Sequence, residues 1–175
     1  VGAWLKGEVD AGRIPGAVVL VARNGKVVYR EAGGKLDPAR DAPMGADGIF
    51  RIYSMSKPIT SVAAMSLVEE GKLALEQPLA RYIPEFAKMQ VGVEKTDASG
   101  AKTLELVPAR RAITVQDLMR HTSGLTYGFF GDSLVKKAYV AAKIDAGGDT
   151  TNEAFAKKIA TMPLHYQPGT TWDYS

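Results

Sequence analysis

The sequence predicts a mixed α/β (α+β) chain in which antiparallel hairpins are combined with capped helices. Two pairs of β-type segments are each joined by turn-forming residues, one pair near position 24 and one near position 98. Segments that begin with a Ser or Thr able to cap a helix occupy much of the remaining chain, and they predict helices.

The first hairpin is predicted by the pair Asn24 and Gly25, which lies between the apolar runs 17–22 and 26–30. Asn and Gly tolerate positive φ, which two-residue hairpin turns require. An antiparallel sheet therefore begins here. A loop rich in Pro, Gly and Asp is predicted to follow over residues 37–48.

A helix is predicted to start near Ser54 and to reach Glu70, with Gly71 as its C-terminal cap. Pro58 fits the first turn, where the backbone N–H groups have no partner within the helix. Small or apolar side chains lie on nearly all sides of this helix, which indicates that it is buried. Ser54 is thus expected at the N-terminus of a buried helix.

The rest of the chain is predicted to be mostly helical, with a second hairpin over residues 91–106 around a turn at Asp97 to Gly100. Each of the later helices begins with a Ser or Thr that can cap its first turn. These helices are predicted over residues 114–120, 133–144 and 151–162.

Composition and charge exclude several classes of function. The chain is 46% hydrophobic and 23% charged, and its net charge of +3 is spread out rather than gathered in a basic stripe, so we expect no nucleic acid partner. No apolar run approaches the ~20 residues of a membrane span. Without Cys, and with no carboxylate or histidine arranged as a metal ligand beside His165, no metal and no cofactor is predicted. We favour a cytoplasmic location, and a periplasmic one stays open if an upstream signal was removed.

The pattern Ser-x-x-Lys occurs three times in the chain, and it is weak evidence taken alone. Ser99 begins a copy inside the predicted hairpin turn, where it shapes the turn. Ser133 begins a second copy and is expected to be an ordinary helix cap, with Lys136 and Lys137 facing water. Only the copy at Ser54 leads into an apolar helix, so only that copy is a catalytic candidate.

Ser54 and Lys57 have the spacing for nucleophilic catalysis. Residues three apart share a helical face, so the Lys57 amine can reach the Ser54 hydroxyl. Burial and the positive end of the helix dipole disfavour an ammonium ion, so we expect the pKa of Lys57 to be lowered and its neutral amine to act as a base. Backbone N–H groups at the helix start could stabilise an oxyanion. For a single Ser-x-x-Lys pattern, a capping serine and a solvated lysine are the commoner outcome.

Three segments in this order resemble the serine β-lactamase-like hydrolases, closest to family VIII carboxylesterases. They are residues 54–64 (SMSKPITSVAA), 118–125 (LMRHTSGL) and 167–175 (QPGTTWDYS). The resemblance implies a β-lactamase-like fold, in which an antiparallel sheet flanked by helices is joined to a mainly helical subdomain.

The resemblance also implies a domain organisation. Residues 1–72 would form the N-terminal part of the α/β domain, with the hairpin and the nucleophile helix. Residues 73–162 would form the mainly helical subdomain with its hairpin insertion, and residues 163–175 would return to the α/β domain. The family's third motif, a strand of the Lys-Thr-Gly type, is not in the sequence, so we expect the chain to be truncated and to have the missing C-terminal part of the same protein as its partner.

Carried over to this sequence, the family's roles imply that Ser54 attacks a short-chain carboxylic ester, Lys57 accepts or relays its proton, and Tyr174 shuttles protons to the leaving group. An acyl-enzyme intermediate is then hydrolysed. Tyr127 and Phe129 would border the mouth of the site and line a substrate-binding pocket for the acyl group, or else anchor their own loop. No metal and no cofactor is implied.

Other activities of the same superfamily stay open. They are a class C-type β-lactamase or D,D-peptidase acting on amides, an acyltransferase that passes the acyl group to an alcohol, and a non-catalytic penicillin-binding-like scaffold. The presence of Ser54, Lys57 and Tyr174 together favours an enzyme over a scaffold. His121 is expected to hydrogen-bond to backbone rather than to serve in a catalytic triad.

Overall fold

A computed structural model describes residues 1–144 and 150–175 of the chain. The chain divides into two compact units, Val1–Ser56 and Lys57–Ser175. Within the described residues, no helix is both long enough and apolar enough to cross a membrane.

The first unit is a small antiparallel sheet with one helix against it. The strands lie in the order β1-β2-β3, and Leu5 of the helix is only 1% exposed, where it packs over Gly33. The elements are α1 (Gly2–Asp10), β1 (Gly16–Arg23), β2 (Lys26–Asp37) and β3 (Ala42–Pro43).

The first hairpin forms as predicted. Asn24 and Gly25 have φ angles of 50° and 73°, the two positive values of a tight hairpin turn, and Arg23 pairs with Lys26 across it. β2 runs further than the sequence predicts, because Gly34 allows close contact with the preceding strand. A Cβ atom at Gly34 would overlap the Pro15 carbonyl oxygen.

The apolar helix predicted after this unit is present, but its burial is not. A one-turn 3₁₀ helix, Tyr53–Met55, leads into α2 (Ser56–Glu69), and none of the α2 side chains is buried. Ile59 and Val62 are 62% and 69% exposed. The prediction of a buried helix is wrong, because no described segment of the second unit covers these side chains.

The second unit contains the second predicted hairpin and three further helices. Thr114, Ser133 and Thr151 cap those helices as the sequence predicts, each accepting a hydrogen bond from a backbone N–H of the first turn. The elements are β4 (Gln90–Thr96), β5 (Lys102–Pro108), α3 (Val115–Met119), α4 (Leu134–Ala141) and α5 (Asn152–Ile159), with 3₁₀ turns at Leu79–Arg81 and Pro84–Lys88.

The core of the second unit fixes where the end of the chain runs. Leu164 is fully buried in the main cluster of apolar side chains. Its backbone N–H donates to the Gln90 carbonyl at 2.8 Å, and its carbonyl accepts from the Gly92 N–H at 2.9 Å. Residues 165–175, which we call the return segment, therefore leave the core beside β4. The main cluster consists of Leu79, Phe86, Met89, Val91, Ile113, Leu125 and Leu164.

Candidate active site

Ser54 lies in the first unit, in the one-turn helix that precedes α2, and its side chain is exposed. Tyr53, immediately before it, has a φ of 45°, which is rare for a residue other than glycine. Such backbone conformations are concentrated at functional sites. Lys57 follows three residues later in the first turn of α2 and is half-buried.

In the second unit, the side chain of Lys57 lies beside two tyrosines. Its Nζ donates a hydrogen bond to the Tyr127 hydroxyl at 3.5 Å and lies 4.8 Å from the centre of the Tyr174 ring. The two phenol rings are 5.9 Å apart. The structure thus brings three of the sequence-predicted residues to one place, although they are far apart in the sequence.

The electrostatics of Lys57 differ from the sequence-based expectation. Partial burial acts to lower the pKa of the amine, but hydrogen bonds to Tyr174 and Tyr127, and the charge of those phenols, act the other way and leave the pKa raised. The expectation of a lowered pKa is wrong, because the interactions of Lys57 with the two tyrosines outweigh the effect of burial. Lys57 is therefore an ammonium ion at neutral pH.

His121 holds the backbone on both sides of Tyr174. Its carbonyl accepts from the Asp173 N–H at 2.9 Å, and its Nδ1 accepts from the Ser175 N–H at 3.3 Å. The prediction that its ring hydrogen-bonds to backbone is confirmed. Burial, and then the charge of Lys57, lower the pKa of His121, so the ring is neutral and its Nδ1 is free of a proton to accept this bond.

The turn that contains His121 is anchored by Asp117, which is not among the site residues predicted from the sequence. Asp117 is fully buried and accepts hydrogen bonds from Arg111 at 2.6 Å, from Thr114 and from Thr122 at 2.9 Å. Burial alone would raise its pKa, but these donors outweigh burial and hold the pKa well below its usual range. The capping pattern from Thr114 to Asp117 is the sequence signal that could have found it.

Aromatic side chains continue the surface beside Lys57. The Tyr127 ring lies 4.8 Å from Phe129, and Phe129 lies 4.4 Å from Phe130. Phe129 is 59% exposed, so it presents an apolar face to solvent next to the two tyrosines. Trp172, from the return segment, lies 6.1 Å from Tyr174 and is also exposed.

Two residues near the site contact the carboxylate of Asp173. Nδ1 of His165 lies 2.9 Å from it, because the return segment brings the two residues together. Lys136 is only 8% exposed, because α4 turns it toward the same carboxylate, so the prediction that Lys136 faces water is wrong. Within residues 1–144 and 150–175, no group of three or more His, Asp or Glu is arranged to hold a metal ion.

Comparison with known proteins gives consistent matches over nearly the whole chain. An uncharacterised protein of Mycobacterium tuberculosis is 43% identical over 173 residues, which are 99% of this chain and 41% of that protein. Esterase EstB of Burkholderia gladioli is 34% identical over 165 residues, 93% of this chain and 38% of EstB. The solved structure of EstCE1, described as a hydrolase with promiscuous acyltransferase activity, superposes with a TM-score of 0.77 at 31% identity, covering 99% of this chain and 42% of that one.

The chain thus spans about two fifths of the length of the relatives that it matches. The family model for Beta-lactamase matches residues 1–175. Together with the antiparallel hairpins, the capped helices and the likeness to EstCE1, this match shows a β-lactamase-like fold. The chain belongs to the beta-lactamase family.

Proposed function

We propose that the protein is a serine hydrolase that cleaves short-chain carboxylic esters through an acyl-enzyme intermediate, in the manner of family VIII carboxylesterases. The observation that carries this proposal is the Lys57 ammonium held beside Tyr127 and Tyr174, three residues after Ser54 in the sequence. A cation that stabilises a phenolate provides a base for a serine, which cannot act as a strong nucleophile without one.

In the proposed mechanism, the Tyr174 phenolate takes the proton of the Ser54 hydroxyl as the serine oxygen attacks the ester carbonyl. Lys57 stabilises the phenolate and remains charged. As the tetrahedral intermediate collapses, the C–O bond to the alcohol breaks and Tyr174 gives the proton to that alcohol. Water then repeats the sequence on the acyl-enzyme and releases the acid. Backbone N–H groups at the start of the helix stabilise the oxyanion.

Two observations support an ester as the substrate. EstB is named an esterase, and EstCE1 is described as a hydrolase with promiscuous acyltransferase activity. The exposed ring of Phe129, which lies against the partly buried Tyr127, offers an apolar contact for an acyl chain rather than a charged recognition site. The description of EstCE1 also favours acyl transfer to an alcohol as the second candidate function.

A burst assay with the protein at its full natural length tests the proposal. p-Nitrophenyl butyrate should release p-nitrophenol in a burst, and Ser54→Ala should abolish it. Ser99→Ala is the matched control, because Ser99 begins another Ser-x-x-Lys copy in an exposed turn and should keep full activity. Activity that survives Ser54→Ala would refute the assignment. Faster turnover of a chromogenic cephalosporin than of the ester would instead indicate a β-lactamase or D,D-peptidase.

A further inference from the structure

The return segment that carries Tyr174 has no helix or strand of its own over residues 171–175. A proton shuttle needs to be held within a few tenths of an ångström of its working position, which irregular backbone does not provide without support. The position of Tyr174 therefore depends on what holds its neighbours.

Asp173, the residue before Tyr174, has both carboxylate oxygens turned toward donors from different parts of the second unit. Oδ2 lies 2.9 Å from Nδ1 of His165, and Oδ1 lies 3.9 Å from Nζ of Lys136. The side chains of His165 and Asp173 are each 16% exposed and that of Lys136 is 10% exposed. Charged side chains with so little contact with water are usually paired with a group of opposite charge or a hydrogen-bond partner.

The two donors stand on rigid supports. Lys136 is in α4, whose first turn is capped by Ser133. His165 follows Leu164, which is fully buried and hydrogen-bonded to β4. The neighbouring Lys137 differs, because it pairs with Asp132 at the surface and is 61% exposed. Exposed pairs of that kind contribute little to stability.

We propose that Lys136, His165 and Asp173 form a brace that sets the position of the Tyr174 phenol relative to Lys57. The brace consists of positioning residues, which act on the reaction only through Tyr174, and this inference rests on the proposed function. His165 donates from Nδ1 to the carboxylate, which fixes the tautomer of its ring. The His121 carbonyl, which accepts from the Asp173 N–H, holds the same residue from its backbone side.

A double-mutant cycle on His165 and Asp173, with the protein at its full natural length, tests the brace. His165→Ala and Asp173→Ala should each lower kcat about tenfold and change KM less than about twofold, because one partly buried, charge-assisted contact is lost without altering substrate binding. The double variant should lose no more than the larger single loss, since both changes break the same contact. Additive losses would overturn the brace.

A conservative variant of His165 and variants of two adjacent lysines distinguish an effect on the position of Tyr174 from a general loss of folding stability. The amide nitrogen of Asn is as many bonds from Cα as Nδ1 of His, so His165→Asn should restore kcat to within about threefold of the original value. Lys136→Met should lower kcat severalfold, while the matched control Lys137→Met should not. If the variants lower the melting temperature but leave kcat unchanged, or if His165→Asn is as slow as His165→Ala, the brace is refuted.

A readout independent of catalysis distinguishes failure of the brace from failure of the proposed function. With ¹³C-labelled tyrosine, the ring signal of Tyr174 can be assigned by its loss in Tyr174→Phe. Asp173→Ala and His165→Ala should move that signal, and Lys137→Met should leave it in place. An unmoved signal would refute the brace even in an inactive protein, whereas a moved signal with no ester burst would refute only the proposed function.

Discussion

Removing the phenol hydroxyls one at a time should show which tyrosine acts as the base. Tyr127 and Tyr174 both interact with Lys57, but only Tyr127 lies in the loop that continues into Phe129. We expect Tyr127→Phe to be a mild change and Tyr174→Phe a severe one, because the first hydroxyl supports the Lys57 ammonium and the second also carries the proton.

The size of each loss follows from the contact. The hydrogen bond from Lys57 to Tyr127 is 3.5 Å long, at the outer limit of such bonds. Its loss should therefore cost about 1 kcal/mol, or about fivefold in kcat. Loss of a proton-transfer group costs 10²–10⁴-fold, roughly, so Tyr174→Phe should lower kcat by about a thousandfold.

The assay is pre-steady-state release of p-nitrophenol, measured for both variants from pH 6 to pH 11 in roughly half-unit steps. Because Tyr127 is one of the groups that raise the pKa of Lys57, Tyr127→Phe should move the alkaline limb of the profile to lower pH. A loss in Tyr127→Phe as large as that in Tyr174→Phe would refute the assignment of roles. An alkaline limb that moves to higher pH would refute the electrostatic argument.

Three other predictions concern the surroundings of the site. Asp117→Asn should lower the free energy of unfolding in urea by about 3 kcal/mol at pH 7, because it breaks a buried ion pair whose Arg111 partner keeps some water contact. Since the pKa of Asp117 is depressed on folding, its contribution is present above the unfolded value near ~3.9, and the difference between wild type and variant should shrink as pH falls below that value. Phe129→Ala should raise KM for butyrate esters more than for acetate esters, whereas Phe155→Ala, which alters an exposed Phe of α5, should not. Gly124→Ala should lower the melting temperature, because φ there is 86° and a Cβ atom would overlap the Tyr166 carbonyl oxygen.

Local chemistry made much of the fold predictable. The turn at Asn24 and Gly25 requires positive φ, and few residue types other than these tolerate it, so the hairpin could be located from two letters. Thr114 and Ser133 are recognisable as caps for a similar reason, since each satisfies an N–H group of the turn that follows it. Features of this kind depend on neighbours within about four residues.

Burial could not be predicted in the same way. The apolar character of α2 indicated a covered helix, yet Ile59 and Val62 are exposed in the structure. Apolar side chains favour burial, because removing their surface from water is favourable. Which segment buries them depends on other parts of the chain, and the helix's own sequence does not contain that information. Lys136 is the opposite case. The sequence predicts that both Lys136 and Lys137 face water, but Lys136 is buried beside Asp173. Only the fold shows which of two neighbouring lysines turns inward.

The protonation state of Lys57 also depends on residues that are distant in the sequence, and it decides which group is the base in the proposed mechanism. From the sequence, burial and the helix dipole predict a neutral Lys57 amine that accepts or relays the proton of the serine. The fold brings Tyr127 and Tyr174, which lie 70 or more residues away in sequence, next to Lys57. Their interactions with the amine raise the pKa of Lys57 instead of lowering it. An ammonium ion has no lone pair to accept a proton, so the base in the proposed reaction is the phenolate beside it. Lys57 then acts by holding charge, and its removal should be rescued less well by a neutral side chain of similar length than by arginine.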